Sequence, residues 1–154
     1  MKKNFKQLLI GGLILSLGLS TLSAQAQQTA SDTEVTAMVE ALRLAAPQTK
    51  NPHDGLYSQW KVQPNTLKAW AKFCLKREVT PTQFENDPKL ARQVVTCITR
   101  RELNNQFHAN NNNETAAVRG VACWWMTGSY RGCDRGFTAD YVQKVVRFYQ
   151  KQPH

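Results

Sequence analysis

The sequence lacks the residue arrangements that most redox, metal and hydrolytic sites require. Its four cysteines include no C-x-x-C pair, the spacing typical of thiol oxidoreductases. Of the three histidines, His53, His108 and His154, none belongs to an H-E-x-x-H motif or lies close to a cysteine in the sequence. No G-x-S-x-G nucleophile elbow is present. We therefore predict no catalytic residue, no metal site and no cofactor.

The sequence also lacks an internal repeat and any clear alternation of polar and apolar residues, so nothing in it predicts strands. Apolar residues recur instead at helical spacing. The predicted helices run from the capping box at Ser31 to Pro47, from near Asn65 to about Arg77, from Asp87 to about Asn104, from Asn113 to Thr127, and onward from Thr138, with a short turn at Thr80. These patterns predict an all-α fold, a single bundle of about five helices over residues 27–154.

The first 26 residues have the composition of a cleaved secretory signal peptide. Three lysines precede an apolar run from Leu8 to Leu22, and an A-x-A pattern ends at Ala26. The run is shorter than the roughly 20 residues that a membrane-spanning helix needs. We therefore predict an exported protein, periplasmic or secreted, with no transmembrane span after cleavage.

The charge of the chain is strongly positive, with 20 basic and 11 acidic residues. Without the three lysines of the predicted signal peptide, the net charge falls from +9 to +6. A basic cytosolic protein would suggest nucleic acid, but an exported one suggests an anionic envelope component or an acidic protein partner. Simple solubility is the alternative explanation, and the oligomeric state stays open.

The four cysteines, Cys74, Cys97, Cys123 and Cys133, predict two disulfides in an oxidising compartment. Three pairings are possible. Cys74 and Cys97 each lie on the apolar face of a helix, and a short turn joins the two helices, so these faces should meet. This favours Cys74–Cys97 and, by default, Cys123–Cys133.

Arg101 falls on the apolar face of its helix, between Val94 and Ile98 in angular position. One interpretation is that its stem packs while its charged head reaches water. The other is an anion-binding arginine at the mouth of a pocket.

The helical phase separates the two neighbouring tryptophans. Trp125 falls near the centre of the apolar face and is predicted to lie in the core, whereas Trp124 falls at the boundary. Cys123 points away from that face, so the following loop should fold back and cover it. Trp124, Tyr130 and Arg131 would then lie close together in an exposed patch that could stack sugars or dock a partner. Partly buried packing residues are the alternative.

Three segments, DGLYSQW, TPTQFENDP and NETAAVRGVACWWMTG, together with the aromatic last helix, resemble a group of small exported proteins from cyanobacteria. The resemblance covers nearly the whole mature chain. It implies a source and a compartment, and it implies no activity, ligand or catalytic residue.

These observations favour a non-catalytic exported module that binds or supports structure at the cell envelope, with Trp124, Tyr130, Arg131 and Arg101 as the candidate binding patch. The alternative is an envelope enzyme such as a cell-wall glycan hydrolase, which needs two carboxylates facing each other across a cleft. The candidate carboxylates are Glu78, Glu85, Asp87 and Glu102. A third hypothesis, a carrier of a small apolar ligand, needs a cavity between helices.

Overall fold

The computed structural model describes residues 28–49, 51 and 54–153. The predicted signal peptide, with its cleavage site after Ala26, lies outside these residues, as do His53 and His154. The described chain contains six helices: α1 (Asp32–Ala45), α2 (Pro64–Leu75), α3 (Pro81–Asn86), α4 (Pro88–Ala109), α5 (Glu114–Thr127) and α6 (Gly136–Tyr149). Within these ranges the extended pairing is limited to an isolated antiparallel bridge between Tyr57 and Val62. The predicted all-α class is confirmed.

The helix starts follow from side-chain caps that the sequence displays. Ser31 and Glu34 form a complete capping box at α1, in which the Ser31 hydroxyl accepts from the Glu34 N–H at 3.2 Å. Thr80 forms a second capping box, and Asp87 and Asn113 cap α4 and α5. Each cap satisfies N–H groups that the helix itself leaves unpaired. Local chemistry therefore sets four of the six helix starts.

Three predicted boundaries are wrong by a few residues. Helix α4 continues past Asn104 to Ala109, because Gln106 and Phe107 extend its buried face by another turn. Helix α2 ends at Leu75, where Lys76 takes a left-handed φ of 56°. Helix α6 begins at Gly136 rather than after Thr138, whose hydroxyl instead donates to the Arg135 carbonyl at 3.1 Å.

The core lies between α1, α4, α5 and α6. Helix α1 packs against α6 and α4, and α5 packs against both α4 and α6. The apolar face of α1, with Val35, Met38 and Leu42, is completely buried. Burying each such side chain contributes roughly 1.5–3 kcal/mol relative to leaving it in water. Helices α2 and α3 lie against α4 at the side of this core.

The loop before α2 also packs onto the domain, as its apolar residues predict. Trp60 and Val62 are buried, and the Trp60 indole N–H donates to the Val39 carbonyl at 2.9 Å. Asp54 holds this loop by accepting hydrogen bonds from the Thr49 hydroxyl and from a backbone N–H. The loop is therefore packed against the domain rather than a free connection.

Two disulfides join the elements at the places that the sequence favours. Cys74 of α2 is bonded to Cys97 of α4, with Cα atoms 6.0 Å apart. Cys123 of α5 is bonded to Cys133 in the following loop, with Cα atoms 5.8 Å apart. The loop covers Cys123, which is buried although it points away from the main apolar face of α5.

Removing the longer disulfide should destabilise the protein substantially. Cys74 and Cys97 are 23 residues apart, so their bond restricts the unfolded chain over a long loop. Replacing both by alanine should lower the free energy of unfolding by about 3 kcal/mol in the chain-entropy treatment. Urea unfolding monitored by circular dichroism measures this change.

The second disulfide provides the control for this experiment. Cys123 and Cys133 are only 10 residues apart, so their replacement by alanine should produce a smaller loss. A Cys74→Ala, Cys97→Ala protein as stable as the oxidised wild type would contradict the prediction.

Candidate functional site

A buried carboxylate holds two of the predicted patch residues in place. Glu102 of α4 is only 2% exposed. Its Oε1 accepts a hydrogen bond from Nε of Arg101 at 2.5 Å and forms an ion pair with Nη2 at 2.5 Å, and its Oε2 accepts from the Tyr130 hydroxyl. A buried carboxylate without such partners would be very costly. The hydrogen bond between Tyr130 and Glu102 therefore holds the loop after α5 against the C-terminal half of α4.

Aromatic rings gather around this cluster. The Arg101 guanidinium lies 4.6 Å from the centre of the Phe73 ring and 6.0 Å from that of Trp124. Trp124 stacks with Trp70 at 5.9 Å and with Tyr130 at 6.4 Å. We call these five residues, Trp70, Phe73, Arg101, Trp124 and Tyr130, the aromatic–arginine patch. Such cation–π and stacked pairs each contribute roughly 0.5–1.5 kcal/mol.

The patch is partly open to solvent. Phe73 is 46% exposed and Tyr130 is 36% exposed, so both rings present a free surface. Trp124 is half-buried, and its ring already contacts Trp70, Tyr130 and Arg101. The available aromatic surface is therefore supplied mainly by Phe73 and Tyr130 rather than by Trp124.

The structure separates the predicted patch residues into two groups. Trp124, Tyr130 and Arg101 come together through Glu102 and the stacked rings. Arg131 is exposed and makes none of these contacts, but it lines a neighbouring cleft that Tyr130 also lines. Trp125 is half-buried rather than central in the core, because its ring packs against Trp70 at 5.0 Å at the edge of the bundle.

The setting of Arg101 bears on the two interpretations of its position. Its side chain is 34% exposed, and its guanidinium lies over the Phe73 ring while it also pairs with Glu102. That carboxylate already occupies the guanidinium, so an external anion would have to compete with it. The charged head of Arg101 is therefore held inside the protein rather than directed into water or towards an open anion site.

Burial raises the pKa of Tyr130 above its ordinary value, and its hydrogen bond to the Glu102 carboxylate acts in the same direction. The Tyr130 hydroxyl therefore remains a neutral donor at physiological pH. It contributes hydrogen bonding to the patch but no charge.

Beside the patch lies a cavity of about 500 Å³ whose walls carry all four tryptophans of the sequence. We call this space the tryptophan cavity. Its lining includes Leu56, Trp60, Lys61, Val62, Trp70, Trp124, Trp125, Met126 and Tyr141. Trp70 and Trp124 belong to the patch and also line the cavity, so the two features have these two rings in common.

Asp54 holds together the loop that carries Trp60 and lines this cavity. The Asp54 carboxylate accepts hydrogen bonds from the Thr49 hydroxyl at 2.6 Å, the Leu56 N–H at 2.9 Å and the Lys61 ammonium at 3.1 Å. These contacts, the Thr49 bond first, lower the pKa of Asp54 to about 2. Lys61 therefore brings no unbalanced charge to the cavity wall.

A second cavity, of about 540 Å³, is lined in part by residues 130–134 of the loop between α5 and α6. Asn105, Gln106, Arg119 and Arg131 line it, together with Asp134. Gln106 approaches Gly120 so closely that a Cβ on that glycine would lie 2.1 Å from the Gln106 Oε1. Glycine at this position thus leaves room for the Gln106 amide in its observed place between α4 and α5.

The carboxylates considered for glycan hydrolysis are dispersed. Glu78 pairs with Lys68 at 3.9 Å, Glu85 accepts from the Ser58 N–H, and Asp87 caps α4. Asp87 and Glu102 are 15 positions apart on one helix, or about 22 Å along its axis. Neither of the two cavities of about 500 Å³ has two carboxylates in its lining.

Sequence reasoning missed Phe73 and Glu102 as members of the site. Phe73 falls between the apolar face of α2 and its lysine stripe, and Glu102 was considered only as a catalytic candidate. A glutamate next to an arginine on an apolar face is the one indication that could have identified the Arg101–Glu102 pair.

No family model, curated protein or solved structure matches this chain. Among the described residues there is no group of three or more His, Cys, Asp or Glu side chains placed to hold a metal ion. None of the helices described here combines the length and apolar character needed to cross a bilayer.

Removing the Tyr130 hydroxyl should weaken the fold locally. Tyr130→Phe leaves one oxygen of the buried Glu102 without its donor, so we expect a loss of about 1–2 kcal/mol in unfolding free energy. Chemical denaturation measures the change. Tyr57→Phe is the matched control, because Tyr57 is half-buried and its backbone pairs with that of Val62, a contact that the substitution leaves unchanged. Equal stability of the two variants would show that Glu102 does not depend on Tyr130.

Proposed function

We propose that this protein is a non-catalytic, exported binding module that docks through the aromatic–arginine patch onto an anionic component of the cell envelope. The observation that carries the proposal is the exposed Phe73 ring, which lies beside three cationic side chains, Lys72, Lys76 and Arg77. None of these three forms an ion pair with a carboxylate of the described residues. An acidic protein is the alternative partner for this surface, because it would also present negative charge to it. The cyanobacterial source and the periplasmic or secreted location belong to this proposal as expectations.

The exposed rings supply the apolar part of such an interface. The Arg101 guanidinium lies over Phe73 and near Trp124, and Trp124 stacks with Tyr130, so these residues form one connected group. Aromatic and arginine side chains are enriched at the energetic centres of interfaces. The half-buried Trp124 and Trp70 hold this surface rigid, which reduces the entropy lost on binding.

The cations around the end of α2 supply the charge. Lys72, Lys76 and Arg77 flank Phe73 in sequence, and the Lys76 ammonium lies 5.3 Å from the centre of its ring. Within the described ranges no carboxylate forms an ion pair with any of these three side chains. Unbalanced positive charge beside an exposed ring suits an anionic surface, where each Lys or Arg contributes roughly 1 kcal/mol.

The two disulfides support the exported part of the proposal. All four cysteines are consumed in disulfides, which persist in oxidising compartments such as the periplasm. The dispersed carboxylates described above give the alternative glycan hydrolase no cleft with an acid and a second carboxylate facing each other.

A triple substitution at Phe73 and the two lysines beside it should weaken binding strongly without unfolding the protein. Lys72→Gln, Phe73→Gln and Lys76→Asn remove two charges and the exposed ring, and asparagine suits the left-handed backbone at position 76. We expect retention on isolated envelopes to fall by at least about tenfold. Sedimentation of labelled protein with envelopes measures retention, and phosphatidylglycerol vesicles and a lipid-extracted wall fraction identify the anionic source.

The matched control carries the same chemical change elsewhere. Lys89→Gln, Phe137→Gln and Lys151→Gln also remove two charges and one exposed phenylalanine, since Phe137 is 67% exposed. This control should keep wild-type retention. An equal loss of envelope retention in both variants would show that retention depends on net charge alone. Full retention by the first triple variant would refute the proposed surface.

A further inference from the structure

The second cavity, of about 540 Å³, has a largely buried amide in its lining, and we call this space the α4–α5 cleft. Gln106 of α4 is 6% exposed and lines the cleft. Its Oε1 lies against Gly120 and accepts a hydrogen bond from the Asn110 amide at 3.3 Å. Its Nε2 donates to no residue that the structure describes. Gln106 therefore brings an unused N–H donor to the cleft.

This donor is open to the cleft, unlike the enclosed polar groups of the core. In the described part of the chain, two buried side-chain atoms lack a hydrogen-bond partner, the hydroxyls of Thr99 and Tyr141. Gln106 Nε2 is not one of these enclosed atoms, since Gln106 borders open space. Amide donors in protein interiors are nearly always satisfied, so a molecule in the cleft, solvent or ligand, supplies the acceptor.

Two arginines line the same cleft without a carboxylate partner. Arg119 lies on the exposed side of α5, and Arg131 lies in the loop that the Cys123–Cys133 disulfide closes. Neither forms an ion pair with any carboxylate in the described ranges. Asp134 is the one acidic residue of the lining, so two arginines and one aspartate leave the cleft a net charge of +1. Guanidinium groups are well suited to bind a carboxylate through paired N–H donors.

The rest of the lining is largely small and apolar. It includes Ala109, Ala116 and Val142 together with the Cys123–Cys133 disulfide. The volume of the cleft falls within the range of small-molecule sites, and an inorganic ion would occupy only a small part of it. A molecule that joins an anionic group to an uncharged body can contact both kinds of lining.

We propose that the α4–α5 cleft binds a small organic monocarboxylate. Arg119 and Arg131 attract its carboxylate, the Gln106 amide donates to one of its oxygen atoms, and the apolar lining contacts its uncharged body. A single negative charge matches the net charge of the cleft, whereas a phosphate monoester carries nearly two charges at neutral pH. The site is separate from the surface proposed for envelope binding, because none of the residues 72, 73, 76 and 77 lines the cleft.

Three fluorescent probes test the proposal on the mature protein with both disulfides formed. Dansylglycine carries one carboxylate, dansylamide has the same ring system without a carboxylate, and dansylated phosphoethanolamine carries a phosphate. Dansylglycine should bind saturably with blue-shifted emission, and at least about tenfold more tightly than dansylamide, because it alone of these two pairs with the arginines. Equal affinity for these two probes would refute the anion site, and tighter binding of the phosphate probe would refute the choice of a monocarboxylate.

Two arginine variants locate the binding site. Arg119→Gln with Arg131→Gln should lower the affinity for dansylglycine at least about tenfold and leave that for dansylamide unchanged. Arg77→Gln with Arg147→Gln is the matched control, because it also removes two exposed arginines and neither lines the cleft. The control should keep wild-type affinity, and an equal loss in both variants would contradict a site at the cleft.

Two single variants test the other polar groups. Asp134→Asn should raise the affinity for dansylglycine roughly threefold, because it removes a like charge, and damage to the fold cannot produce such a gain. Gln106→Leu should lower this affinity about fivefold, because it removes the amide donor and keeps a side chain of similar size in α4. Circular dichroism verifies that both variants are folded. Unchanged affinity in either variant would contradict the role assigned to that residue.

The two proposals fail in different experiments. The triple variant at positions 72, 73 and 76 changes no residue of the cleft lining, so it should bind dansylglycine as the wild type does. The double variant of Arg119 and Arg131 should keep wild-type retention on envelopes. Loss of dansylglycine binding in the triple variant would contradict the separate site.

Discussion

The arrangement of the candidate site depends on one buried charge. A buried side chain such as Glu102 needs polar partners inside the domain, and Arg101 and Tyr130 are the side chains that reach it. Pairing with Arg101 places the guanidinium between Phe73 and Trp124, and pairing with Tyr130 brings the loop after α5 onto α4. The Cys123–Cys133 disulfide closes that same loop, so a covalent and an electrostatic constraint act on one segment.

The stacked pair of Trp70 and Trp124 belongs to two features of the molecule. The pair contributes to the aromatic–arginine patch, and it also lines the tryptophan cavity. The contacts that hold the patch in place are therefore also part of the cavity wall.

Much of the fold could be predicted because its determinants are local. The capping box at Ser31, the Asp87 cap and the Asn113 cap each act within three residues of a helix start. The disulfide partners followed from helix phase, since Cys74 and Cys97 lie on faces that a short connection brings together. Helix ends were predicted less well, because the length of α4 depends on the tertiary burial of Phe107.

The sequence by itself determined the helical class and four of the six helix starts, and it favoured the observed disulfide pairing, because caps, periodicity and helix phase operate over short distances. Only the tertiary structure decided the site. Contacts between Trp70 and Trp124, or between Tyr130 and Glu102, join residues 54 and 28 positions apart, and no local pattern specifies such pairs. The unpaired Tyr141 hydroxyl likewise becomes visible only when every neighbour that could have accepted its hydrogen bond is in place.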